Sequence, residues 1–138
     1  MATGDTYTRR LDEVLQSTSD VLFPEEMGKR KVDLSSRDVE GDTPLHVLLW
    51  RNDERGAELL IEAGADVNAI GDMGETPLHV AVRQKNGRLV SALLNAGAKS
   101  DIRSEFGQTP MEMAADAGDA IASLFEPPNN ELERARDE

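Results

Sequence analysis

The sequence contains no cysteine. That excludes a disulfide framework, a thiolate metal site and a cysteine nucleophile. Aromatic residues are only 4% of the chain, so a core has to be built from Leu, Val, Ile and Ala. Bases are scarce: 15 Lys and Arg stand against 27 Asp and Glu, a formal charge of −12. Phosphate recognition needs clustered cations, so no nucleic-acid partner is expected. The short run Lys29-Arg30-Lys31 reads as a solvated helix end. The longest unbroken apolar run is Val47 to Trp50, far short of the roughly 18 residues of a membrane-spanning helix. The opening MATGDTYTRR lacks the apolar segment of a secretory signal. These absences leave a soluble, acidic chain of 138 residues. It is expected to be one domain, cytoplasmic, without a membrane partner, and monomeric when free.

What is present is a repeat. Thr43-Pro44-Leu45-His46 returns as Thr76-Pro77-Leu78-His79 and, altered, as Thr109-Pro110-Met111-Glu112, with a spacing of 33 each time. Gly41, Gly74 and Gly107 each stand two residues before the Thr, and Gly64-Ala65 and Gly97-Ala98 keep the same register. Each residue type suits its place. The Thr hydroxyl caps a helix by accepting an orphan N–H, and Pro at the first helical position has no N–H to lose. The segments after Pro44, Pro77 and Pro110 predict short apolar helices. Second helices follow, carrying Leu59, Leu60 and Ile61, then Leu89, Val90, Ala92, Leu93 and Leu94. Gly64 and Gly97 predict left-handed helix ends. One such unit has too little apolar surface to fold alone, and about three stacked units are needed.

The segments GDTPLHVLL, GETPLHVAV and GQTPMEMAA, with EAGADVNA at 62–69 and NAGAKSDI at 95–102, resemble the ankyrin repeat. That unit has 33 residues, T-P-L-H-x-A, a β-turn and two helices. The resemblance covers roughly residues 31–126. It implies an all-α solenoid of stacked helix pairs with β-hairpin-like loops, one domain over 1–126, and repeats starting near 33, 66 and 99. Two regions depart from the pattern. Residues 6–32 lack the TPLH signature. They predict a divergent N-terminal cap: an amphipathic helix over 6–22, with Tyr7, Leu11, Val14, Leu15 and Leu22 near one face, then a short helix around Pro24 with Leu22, Phe23 and Met27. Residues 127–138, PPNNELERARDE, read as a disordered acidic tail.

Candidates for chemistry are few. His46 and His79 are the only histidines. The resemblance gives them a structural role, with the ring hydrogen-bonded to neighbouring backbone. Carboxylates are abundant, but a flat stack of helix pairs offers no pocket across which two could face each other. Gly71-Asp72-Met73-Gly74 is no phosphate loop, because no Gly-Lys-Ser/Thr follows. No catalytic residue, metal ligand or cofactor is therefore expected, and an enzyme is the weaker reading. A self-assembling structural protein is also weaker, because the ends are divergent and charged.

The resemblance implies a protein partner instead, held on a concave face made of hairpin tips and exposed places on the first helices. By register those places are Val39, Glu40, Asp42, Trp50 and Arg51; Asp72, Met73, Glu75, Arg83 and Gln84; and Glu105, Phe106, Gln108, Asp116 and Ala117. They hold the only Trp of the chain and six acids against two bases, a higher density of negative charge than the chain as a whole. An aromatic and a Met among charges suit an interaction centre with a polar rim, and an acidic face suits a basic partner. The expected function is a non-enzymatic interaction module acting as adaptor or regulator. The alternative is an inhibitor or immunity-type protein that covers the basic surface of a toxin or enzyme.

Overall fold

Three threonines start the first helix of each of three repeats. Thr43, Thr76 and Thr109 sit in extended backbone, and each accepts a hydrogen bond from the N–H three residues on, with Pro at the next position. A computed structural model describes residues 2–26 and 29–125, with side chains of the first helix described from Tyr7. In chain order the helices are α1 (Ala2–Gln16), α2 (Ser19–Leu22), α3 (Pro44–Trp50), α4 (Glu54–Glu62), α5 (Pro77–Arg83), α6 (Gly87–Asn95), α7 (Pro110–Ala117) and α8 (Asp119–Ala122). Single 3-10 turns lie at Pro24–Glu26, Asp72–Gly74 and Ser123–Phe125. No strand occurs among the described residues. The connecting loops close as hairpins through Asp38 N–H to Asp42 O (3.0 Å), Gly71 N–H to Glu75 O (2.9 Å) and Ser104 N–H to Gln108 O (2.9 Å).

The helices pack as antiparallel pairs stacked in two layers. The first helices, α3, α5 and α7, form one layer, α4 and α6 stand behind them, and α8 with its 3-10 turn closes against α6. Leu45, Leu48, Leu49, Leu60, Leu78, Leu89 and Leu93 are almost wholly removed from water. Each such side chain contributes on the order of 1.5–3 kcal/mol. Met111 holds the register of Leu45 and Leu78 yet is half exposed, because no further unit lies over it among the described residues. The second helices end as foreseen. Gly64, at φ +101, donates to Ile61 O, and Ala65 donates to Leu60 O across it. Gly97 repeats the motif with Leu94 and Leu93.

The N-terminal segment differs from the sequence expectation. In place of one helix over 6–22, α1 and α2 are separated by a turn at Ser17-Thr18. The Ser17 and Thr18 hydroxyls donate to Val14 O (2.6 Å) and Leu15 O (2.7 Å). Side-chain bonding of this kind competes with helix continuation. Tyr7 is exposed, while Leu15, Thr18, Ser19 and Leu22 are buried. The main contacts cross over, with α1 against α4 and α2 against α3. Met27 and the expected tail at 127–138 lie outside the described residues.

The turn between the two helices of each repeat uses the left-handed region at Asn52 (φ +58), Lys85 (φ +57) and Gly118 (φ +117), all in one register. A side chain there costs about 1–2 kcal/mol, less what glycine loses by its freedom when unfolded. Lys85→Gly should therefore raise the urea midpoint by the equivalent of about 0.5–1 kcal/mol. Gly41→Ala should lower it: at φ +92 an added Cβ would lie 2.7 Å from Ile70 O. A Lys85→Gly chain less stable than the native one would show that the lysine side chain has a tie that outweighs the strain.

Candidate partner-binding face

The two histidines join one repeat to the next. His46 Nδ1 accepts the Thr43 N–H (3.1 Å), which leaves the proton on Nε2, and Nε2–H donates to Glu75 O (3.0 Å). His79 does the same with Thr76 N–H (3.0 Å) and Gln108 O (2.9 Å). Both acceptors are the last residue of the following hairpin. In the third repeat Glu112 Oε1 takes the Thr109 N–H (3.0 Å) and meets Arg103 Nη1 (3.1 Å). It keeps the cap and drops the outgoing donor. Among the described residues no group of three His, Asp or Glu could hold a metal ion, and no helix is long and apolar enough to cross a membrane.

The hairpins stack directly. Asp42 is buried, and its Oδ1 accepts the Asp72 N–H (2.9 Å) in the next loop. Only glycine fits beside it, because a Cβ on Gly71 would lie 2.2 Å from that oxygen. Burial raises the Asp42 pKa above its ordinary range. One loop further on, Glu105 N–H donates to Met73 O (2.9 Å). Met73 stands at φ +60 with its side chain half exposed.

The fourteen residues singled out by register together with Ala117 divide into two groups. Five are committed to internal ties. Asp42 serves the hairpin stack. Glu75 is buried and holds Arg83 in a bidentate ion pair, one bond 2.8 Å long; this pair lifts the Arg83 pKa. Gln84 Nε2 donates to Leu49 O (3.3 Å) and Trp50 O (3.2 Å) at the end of α3. Arg51 Nη2 donates to Ser17 O (3.2 Å) at the end of α1 and faces Asp20 (3.8 Å). The other group faces outward. Val39 is 98% exposed, Phe106 65%, Met73 48% and Trp50 40%. Glu40, Asp72, Glu105, Gln108 and Asp116 are exposed around them, and Ala117 is half-buried. The Trp50 ring lies 6.2 Å from the His46 ring, tilted by 49°. A groove of about 220 Å³ runs between α5 and α7. Its floor is Val82, Met113 and Ala117, and its rim is Arg83, Lys85, Gln108 and Asp116. Lys85 and Met113 were not foreseen here, although their register beside Ala117 is readable in the sequence.

Burial also holds the His46 imidazole below its ordinary value of 6.5. The unfolded chain therefore takes up this proton first, and stability falls as pH drops from about 6.5 towards the native value. The limit for one proton is about 1.4 kcal/mol per pH unit. Asp33 and Glu112, lowered chiefly by hydrogen bonds, act only in the carboxylate range, and Asp42 acts there with opposite sign. Urea denaturation should show the native chain losing stability between pH 6.5 and 5. His46→Gln should start less stable and lose less across that window. An equal loss in both chains would place the titration on another group.

Two family models match the chain: Ankyrin repeat over residues 40–72 and Ankyrin repeats (many copies) over residues 60–114. Together they span more than half of it. A comparison with curated proteins finds no match.

Proposed function

The chain belongs to the ankyrin repeat family, and we propose that it binds one protein partner on the face formed by its hairpin tips and first helices, as an adaptor or regulator. Ankyrin repeats generally mediate protein–protein interaction. The observation that carries the reading is the tip of each hairpin. Val39, Met73 and Phe106 each put an apolar side chain into water, one per loop. Met73 does so from a left-handed backbone that costs about 1–3 kcal/mol to hold. Large apolar residues in such places suit contact with a partner. Glu40, Asp72 and Glu105 stand exposed next to them in the chain and Asp116 is exposed at the end of α7, while the one Arg on the α5 part of this face is neutralised by Glu75. That balance favours a basic partner surface.

The test is a pull-down from lysate of the source cells with the native chain and with Trp50→Ala, Met73→Ala and Phe106→Ala combined, identified by mass spectrometry. All three side chains are exposed, so the variant should keep the native circular dichroism. The expected result is a protein retained by the native chain and lost with the variant. Its capture should weaken as NaCl rises from about 0.05 to 0.3 M, as screened surface charges require. A protein retained equally by both baits would move the interface off this face.

A further inference from the structure

The first helices meet in two successive grooves, and the chain fills them differently. Between α3 and α5, Glu75 holds the Arg83 guanidinium in a two-point ion pair, and Gln84 reaches the Leu49 and Trp50 carbonyls. One repeat later the same three register positions are Gln108, Asp116 and Ala117. The guanidinium is replaced by a carboxylate, and the long amide donor is cut back to a methyl. What remains is the groove of about 220 Å³ between α5 and α7. Among the described residues Asp116 makes no ion pair and is exposed.

The molecule itself shows what fits such a place. At the junction before these two, Arg51 carries its guanidinium to Ser17 O at the end of α1, with Asp20 as counter-charge. At the next, a donor side chain meets the end of α3 and a guanidinium meets a carboxylate. At the third junction, the end of α5 and the Asp116 carboxylate line a groove that receives neither. Of its two cations, Arg83 is already paired with Glu75, and Lys85 is an exposed residue of the rim. The surrounding chain carries −12.

We propose that the groove between α5 and α7 is a receptor for an arginine side chain of the partner protein. The alkyl stem lies over Val82, Met113 and Ala117. The guanidinium meets Asp116 and the carbonyls at the end of α5. The planar fork of N–H donors suits this better than an ammonium does. The inference rests on the reading that this face binds a protein, but its test needs no partner.

Labelled native chain would be titrated with acetyl-Gly-Gly-Arg-Gly-Gly-amide and followed by amide chemical shifts. Matching peptides with Lys, Gln or norleucine in place of Arg serve as controls. Saturable shifts at Arg83–Lys85, Gln108 and Asp116–Ala117 are expected, with the Arg peptide bound most tightly. Ala117→Gln should weaken it at least about fivefold, the worth of one hydrogen bond. The same variant supplies the missing donor from within, so its melting temperature should rise by roughly 2–5 °C. Equal shifts with norleucine, shifts spread over the whole acidic surface, or affinity unchanged in Ala117→Gln would overturn the proposal. So would a melting temperature lowered by Ala117→Gln, because the groove would then not accept a donor. The peptide test can fail while the pull-down succeeds, and the reverse, so the two readings fall separately.

Discussion

The stack depends on an imidazole with one proton. His46 and His79 each accept a backbone N–H on Nδ1 and donate from Nε2 to the hairpin of the next repeat. A doubly protonated ring would lose the first bond, and the other tautomer would lose both. A buried, neutral imidazole with its tautomer fixed by the Thr–Pro turn is thus the condition for the hairpins to stand in line. From that alignment follows the close approach of the loops. Asp42 can reach Asp72 N–H, and Glu105 N–H can reach Met73 O, only because the hairpins are already stacked.

The alignment sorts the side chains of the face. Polar groups near the helix ends turn inward or sideways and tie neighbouring repeats, as Arg51, Glu75, Arg83 and Gln84 do. The loop tips lie beyond reach of those partners, so Val39, Met73 and Phe106 remain in water. Inward ties and outward-facing side chains come from adjacent residues of the same short loops. Glu75 and Asp72 are three positions apart, one buried and one exposed.

Much of this was readable from the sequence. The Thr-Pro caps, the glycines ending α4 and α6, the apolar helices and the weakened third repeat all follow from local rules acting within a few residues. What was not readable depends on distance. Asp42 stands beside Glu40 in register, and nothing local says that it turns inward. Its cradle is the missing Cβ of Gly71, a full repeat away. Glu75 and Arg83 looked like two surface charges, although their opposite signs eight residues apart were a clue to the pair. The break in the N-terminal helix had its signal in Ser17-Thr18-Ser19, but the apolar periodicity across it pointed to one continuous helix.

The two junctions between full repeats differ in kind. The first carries the Gln84 tether, an Asn86 to Asn52 bond of 2.7 Å and the Arg88 pairs with Glu54 and Glu58. Polar bonds across the second lie in its loops, among the described residues: Asn68 with Gly97 and Lys99, His79 with Gln108, and Glu105 with Met73. In a linear array, where each unit is held only by its neighbours, such asymmetry gives unfolding a direction. Between the two junctions, the one with fewer polar ties between its helices is the one that should open at lower cost. A ligand bridging α5 and α7 would close that junction, so its binding energy would appear as cooperativity of the whole array.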